Sequence, residues 1–560
     1  MEHDPAACLV VDGKLIAMAE EERFVRRKHA FDCLPTNAAA YCLSQANILL
    51  DDVDLVTYGL NYKKASHLCG VVAKLDCEKF LDMLLPRKYF KYNKTPKIQF
   101  IDHHMAHAAS TYYTSGFKDA AVLVIDGQGE NVSTSLGYGR NGQISFFKQF
   151  PVYDSIGYLY EAVCQYIGFS VHDAGKIMGL AAYGDRDRYN FNSITLDHCG
   201  YSMGIKKYLN IDNQTTSDWQ RTMIYGWKKY FSSELKWQYI PSLYSYKQNH
   251  AILGRDEVIP SRFQKDVAAS LQKTVERLII HLCAVLRKKT RSKNLVISGG
   301  VALNCSVNGK IADSSIFENI HIFPAANDAG VAVGSALYAY HQKSGAVGEK
   351  IDNIYLGPAF TDEQIKRLLC RSKIKYELVK DIEKETAKLL SEGCVVGWFQ
   401  GRMEAGPRAL GNRSILADPR KKENHEKVNR IKGRENWRPL SPSILYGYEG
   451  SYFENAKPSP FMLKSVKVRS DKLEKIPAVV HVDGTARPQS VSQKANLRYY
   501  NLLSEFNKIT KVPLLLNTSM NGPGEPIVCS PMDAVRLFYS TGLDCLVMNN
   551  YIIKKEYEKK

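Results

Sequence analysis

Two kinds of signal are missing from this chain. Its thirteen cysteines are scattered from Cys8 to Cys545, an odd number with no C-x-x-C pair among them. That excludes a disulfide scaffold and a structural zinc finger, and leaves most of them as small buried hydrophobes of a reduced, cytoplasmic protein. No apolar run is long enough to span a bilayer, and no signal-peptide pattern opens the sequence, so no membrane role is expected. Low-complexity tracts and short-period repeats are absent as well.

What is present is an ordinary globular composition at an unusual length. With 560 residues, 45% hydrophobic and 24% charged, the chain exceeds what one core supports, and two large domains are expected. The formal net charge is +17, but the basic residues are dispersed, with only short clusters such as Arg26-Arg27-Lys28 and Lys554-Lys555, the latter followed at once by Glu556. Such a field suits phosphorylated small substrates, and the pattern does not call for a dedicated nucleic-acid surface.

Ala7 to Val11 and Leu15 to Ala19 flank the turn dipeptide Asp12-Gly13 and predict a hairpin. The theme returns at Ala121 to Ile125, where Asp126-Gly127 precedes Ser133 to Tyr138, and Asn141-Gly142 leads on to Ile144 to Phe147. Two strand, Asp-Gly, strand units in one domain point to an internal duplication. Apolar spacing over 264–290 predicts a long helix. The strand Leu295 to Ile297 then enters Ser298-Gly299-Gly300 and a helix-like stretch containing Asn304. That is either a nucleotide cradle, where glycines admit close backbone approach, or an ordinary tight turn. A boundary is expected near 345–355, giving domains 1–350 and 351–560. Helices at Asp362 to Cys370 and Ile382 to Ser391 follow it, with strands at Val395 to Phe399 and over 512–516.

The most specific local signal is Asp102-His103-His104-Met105-Ala106-His107. On a helix His103 and His107, at i and i+4, face one side and suit two metal ligands. No glutamate follows His103, so a zinc-protease site is excluded. Asp126 and Asp328 sit at predicted strand ends, where they could converge with the histidines. Two imidazoles and two carboxylates favour Fe(II), Mn(II) or Zn(II) over Mg(II), the identity staying open. A second cluster, Arg402, Arg408, Arg413, Lys432, Arg434 and Arg438 among Gly401, Gly406 and Gly411, offers cations and close backbone approach for phosphates. Ser441, Ser443, Asn517, Ser519 and Asn521 add neutral donors. His481, Asp483 and Arg487 form a further group, or an ordinary surface turn.

The segments EHDPAACLVVDGKLIAMAEEERFVRRKH, HHMAHAAS, VIDGQGE, KIMGLAAYG, ISGGVALN, NDAGVAVGSAL and GRMEAGPRALGNRSILADPR resemble the carbamoyltransferases of the nodulation-protein-U and antibiotic-biosynthesis type, nearest to the branch that carbamoylates tobramycin. The resemblance runs over nearly the whole chain in the family's motif order. It implies an α/β protein with an actin-like (ASKHA, duplicated) first domain and a YrdC-like α/β second domain. It further implies that the second domain makes carbamoyl adenylate from carbamoyl phosphate and Mg-ATP; within the basic cluster read above, Arg408 and Lys432 are expected in catalytic roles. The first domain, carrying iron, would then move the carbamoyl group to a hydroxyl of a small-molecule acceptor, an antibiotic or secondary metabolite. On matching positions His103, His107, Asp126 and Asp328 would hold the metal, and His3 and Lys28 would lie at the transfer site. Gly299, Gly300, Asn304, Arg402, Arg413, Arg434, Arg438, Ser441, Asn517, Ser519 and Asn521 would contact nucleotide and co-substrate. The motif histidine stands at position 3, without the several-residue strand that usually precedes it. Two other readings are a tRNA-modifying threonylcarbamoyl-type transferase and a non-catalytic actin-like nucleotide-binding protein.

Overall fold

The computed structural model describes residues 3–68, 76–209, 218–241 and 259–555. Met1, Glu2 and Glu556 lie outside them. The chain divides into two compact units, residues 1–21 with 32–351, and residues 22–31 with 352–560. Both are mixed α/β. The ten residues 22–31 were expected in the first domain and pack instead with the second unit. Arg23, 2% exposed, donates to the Gly406 carbonyl at 2.8 Å. Arg26 donates to the carbonyls of Pro526 and Ile527 at 2.9 and 2.6 Å and pairs with Asp533 at 3.6 Å.

In the first unit the expected hairpin forms as Ala6–Val11 with Lys14–Glu20. A parallel pair, Val56–Tyr58 with Ile98–Phe100, follows it. The same order of hairpin and parallel pair recurs in one five-stranded sheet. Asp119–Ile125, Val132–Arg140 and Gln143–Pro151 form an antiparallel meander, and Asn294–Ser298 and Asn319–Ile322 extend it in parallel with Asp119–Ile125. The earlier strands differ from the later ones in forming two separate two-stranded sheets. The long helix spans Arg262–Thr290, with a capping box in which Ser261 and Gln264 satisfy each other's backbone donors.

The second unit is built on an eight-stranded mixed sheet in the order Glu377–Leu378, Tyr551–Lys554, Cys545–Met548, Val396–Phe399, Arg413–Ala417, Leu514–Ser519, Ser441–Leu445, Gln489–Val491. Its central strands are largely buried, and Trp398, Phe399, Leu515, Phe506 and Phe538 fill the core. Among the described residues every cysteine is free, and no helix is long and apolar enough to cross a membrane.

Candidate metal centre and polyanion site

Three parallel strands place the first site. Asp126 follows Asp119–Ile125, Gly299 follows Asn294–Ser298, and Asp328 lies six residues beyond Asn319–Ile322, so all three stand at carboxyl ends of neighbouring strands, where open α/β sheets bind ligands. Gly299 has φ +89°, and a Cβ there would stand 2.2 Å from the Ile125 carbonyl oxygen, which only glycine permits. The next amide, Gly300 N–H, donates to Asp126 Oδ1 at 2.9 Å and fixes that carboxylate.

The histidines come from the helix His103–Tyr112. It packs closely against the helix Ala329–Ser344, where a Cβ at Gly334 would stand 1.7 Å from the Ala106 carbonyl. This close approach brings Asp328, at the head of the second helix, to the histidine face. His103 Nε2 lies 3.3 Å from Asp126 Oδ2 and 3.7 Å from Asp328 Oδ1. His107 Nε2 lies 3.6 and 3.7 Å from the same atoms. The two Nε2 atoms are 3.1 Å apart, and the four donors fall within 4.8 Å of one another. His103 Nδ1 is 3.0 Å from the Gly59 carbonyl, so a proton there leaves the Nε2 lone pair facing the carboxylates.

Two neutral imidazoles and two carboxylates sum to a charge of −2, and this convergent N/O set fits a divalent transition metal. Burial alone would lower the His103 and His107 imidazoles, yet hydrogen bonds to Asp126 and Asp328 raise both. Asp126 is held well below the usual carboxylate range, against its burial, by the same histidines. His107 is 0% exposed and Asp328 29%, so the set opens to solvent on the Asp328 side. His3 stands there, its Nδ1 4.0 Å from Asp328 Oδ2 and 3.3 Å from Asp4 Oδ2. His104, between the two ligand candidates, points elsewhere, with Nδ1 2.7 Å from Ser135 Oγ.

Asn304 takes a structural place. Its Oδ1 accepts from Val307 N–H at 3.1 Å, capping the helix Cys305–Asp313, while its amide exchanges bonds with Gln272. Glu161 gave no signal in the sequence. It sits on the helix Ile156–Tyr166, within electrostatic reach of His3, Asp126 and Asp328, and accepts from Gln220 Nε2 at 2.7 Å. Burial raises its carboxyl from 4.5 to about 7. The folded state therefore holds this proton more tightly than the unfolded chain, and stability from this group is lost as pH rises from about 4.5 through about 7. Glu161→Gln is expected to gain thermal stability over the parent at pH 8 and clearly less at pH 5. Equal gains at both pH values, by calorimetry, would refute the shift.

In the second unit the arginine-rich segment separates into two roles. The loop after Val396–Phe399 is organised from below by Glu404, a residue the sequence did not single out. Glu404 is 0% exposed, and its Oε1 accepts from the backbone N–H groups of Leu410, Asn412 and Arg413 at 2.6, 3.3 and 3.3 Å. Arg413 was expected at the ligand and is instead a core staple. It is fully buried, stacks 3.7 Å over the Phe399 ring, and donates to the carbonyls of Gln400, Asn412, Pro358 and Gly401. Asn517, also expected at the ligand, donates to Ser443 Oγ at 2.9 Å and Gln489 Oε1 at 3.2 Å in a buried network. Arg402 donates to the carbonyls of Leu356 and Gly357, and Arg408 stands half-buried on the Glu404-organised loop.

The other basic residues gather. Lys432 donates to the Ser519 carbonyl, to Asn521 Oδ1 at 2.9 Å and to the Asn521 carbonyl at 3.1 Å. Burial first, and then the charges of Arg434, Arg438 and Lys28, push its ammonium well below the ordinary lysine range. Arg434 is lowered likewise by burial and by Arg438, with Arg487 adding to it. Arg487 also donates to Ser441 Oγ at 3.1 and 3.0 Å. Lys28 therefore acts on the second unit's cations, where the sequence placed it beside His3. Lys432 thus feels Arg434, Arg438 and Lys28, and Arg434 feels Arg438 and Arg487, while Glu435 offsets part of this charge and pairs with Arg438 at 3.7 Å; a polyanion would relieve the repulsion among these cations. His481 and Asp483, 3.6 Å apart, belong to a turn closed by Thr485.

Comparison with known proteins finds two family models in succession along the chain. The model of the carbamoyltransferase N-terminus matches residues 1–337, and that of the carbamoyltransferase C-terminus matches residues 387–555. The nodulation protein NolNO of Sinorhizobium fredii is 37% identical over 99% of this chain and 79% of its own length. An uncharacterised protein of Synechocystis, sll1178, is 35% identical over 99% and 95%, and nodulation protein U of Sinorhizobium fredii is 27% identical over 94% and 93%. The chain belongs to the carbamoyltransferase family, and is an enzyme of that class.

Proposed function

We propose that the protein is an O-carbamoyltransferase working in two half-reactions, one in each unit. The second unit, including residues 22–31, forms carbamoyl adenylate. Water releases inorganic phosphate from carbamoyl phosphate, and a carbamoyl oxygen displaces pyrophosphate from the α-phosphorus of Mg-ATP. The gathered cations Lys28, Lys432, Arg434, Arg438 and Arg487 support this most directly, since the reaction brings two polyanions together. Ser441, Ser519 and Asn521 lend neutral donors, and Arg402 and Arg408 border the same loop.

In the first unit the acceptor hydroxyl attacks the carbamoyl carbon, the C–O bond to AMP breaks, AMP leaves, and the hydroxyl proton passes to solvent water on the open side of the donor set. His103, His107, Asp126 and Asp328 would hold a divalent metal, Fe(II) by the family resemblance, whose positive charge polarises the carbonyl. His3, on the open side of that set, orients the acceptor hydroxyl. Gly299 and Gly300 admit the nucleotide at the strand ends. The strand order and the repeated hairpin and parallel pair favour an actin-like first unit, and the mixed sheet of the second is read as YrdC-like. The acceptor is read as a small molecule. The test is ATP–pyrophosphate exchange: it should require carbamoyl phosphate, and exchange independent of carbamoyl phosphate would refute the reading.

A further inference from the structure

The helix Ile156–Tyr166 leads away from the metal centre in a defined direction. Its cap, Ser155, donates through Oγ to the Gly127 carbonyl at 2.7 Å, and a Cβ at Gly157 would stand 2.9 Å from the Asp126 carbonyl oxygen. Nine of its eleven residues are buried. The two that are only partly buried are Glu161 and Gln165, at i and i+4, and therefore on one face. At ~1.5 Å per residue, Gln165 lies roughly 12 Å further along the axis than Gly157.

The helix Trp219–Ser233 lines the other side. Its Gln220 donates to Glu161, and the residues that follow each of them on the two helices, Gln165 on one and Arg221, Thr222, Ile224, Tyr225 and Lys228 on the other, line a cavity of about 530 Å³. Among the described residues, a guanidinium and an ammonium stand in this lining with no carboxylate. Lys228 is braced 5.1 Å over the Tyr239 ring. An amide, a hydroxyl and a phenol beside two cations make a lining suited to hydroxyl groups and a negative charge, and repel a polycation.

We propose that this cavity is the distal acceptor subsite, and that it takes an anionic group of an elongated, polyhydroxylated acceptor whose reacting hydroxyl sits at the metal centre. The proposal rests on the assignment of carbamoyl transfer to the first unit, and it disfavours an aminoglycoside acceptor. Three probes of similar shape and different charge test it by isothermal calorimetry on the whole protein: trigalacturonate, maltotriose and the trimer of glucosamine. The wild type should bind trigalacturonate about tenfold more tightly than either of the others. The double variants Arg221→Gln/Lys228→Gln and Arg221→Glu/Lys228→Glu should lose that preference, with pyrophosphate exchange and metal content unchanged. The proposal is overturned if the wild type shows no preference for trigalacturonate, or if the preference survives in both variants. Loss of carbamoyl-phosphate-dependent exchange in the wild type would strike the functional reading instead.

Discussion

Replacing His103 with alanine is expected to lower carbamoylated product on the order of 10³-fold, the several kcal/mol that a polarising metal contributes, while pyrophosphate release is largely retained. The reason is geometric. His103 Nε2 is 3.1 Å from its partner imidazole nitrogen and faces both carboxylates, so its removal breaks the donor set. Its partners Gly59, His107, Asp126, Glu130 and Asp328 all belong to the first unit. His107→Ala should behave alike. Asp328→Asn, on the open side of the set, should cost less product, because a neutral oxygen donor remains. Elemental analysis should show metal lost in step with product. If pyrophosphate release falls as far as product does in the His103 variant, the division of labour between the units is wrong.

The second large effect belongs to Lys432. Lys432→Met should reduce pyrophosphate release on the order of 10²–10³-fold, the range for one preorganised donor at a site of developing charge, with metal content intact. A purely structural lysine would give a different signature. Lys432 is held by oxygens of Ser519 and Asn521 yet opposed by Arg434, Arg438 and Lys28, so losing its charge also relieves repulsion. The variant is therefore expected to melt close to the wild type while its release rate collapses. A large fall in melting temperature with kcat unchanged would make Lys432 a structural staple. Lys432→Arg is not expected to rescue, since a planar fork does not fit a pocket shaped for a compact ammonium.

How much of this was legible beforehand follows from the range of each interaction. The hairpin at residue 12, the helix over 264–290 and the strand ends at Asp126 and Ser298 are written in local periodicity and turn dipeptides, and they appear within a residue or two. The i, i+4 histidines are a local pattern as well, and the donor set forms as expected because strand topology delivers the two aspartates. The arginines misled for the opposite reason. Arg413 and Arg408 look alike in a Gly-rich string, and only the strand register shows that Arg413 points into the core beneath Phe399. Glu404 was invisible, because its work is done on backbone amides that no side-chain pattern reports. The assignment of residues 22–31 rests on Arg23 and Arg26 bonding to carbonyls some 380 and 500 positions away, which no window along the chain can see.

That last feature bears on modularity. Because the second unit borrows ten residues from near the start of the chain, the peptide backbone passes between the two units three times, at 21–22, 31–32 and 351–352. A fragment beginning at residue 352 is an incomplete fold: it lacks the guanidinium on Gly406, the anchors at Pro526 and Asp533, and one of the five cations. The two units thus cannot be exchanged between relatives by a single crossover. Recombination that swaps the later half must carry the early segment with it, so the two halves are bound to diverge as one lineage.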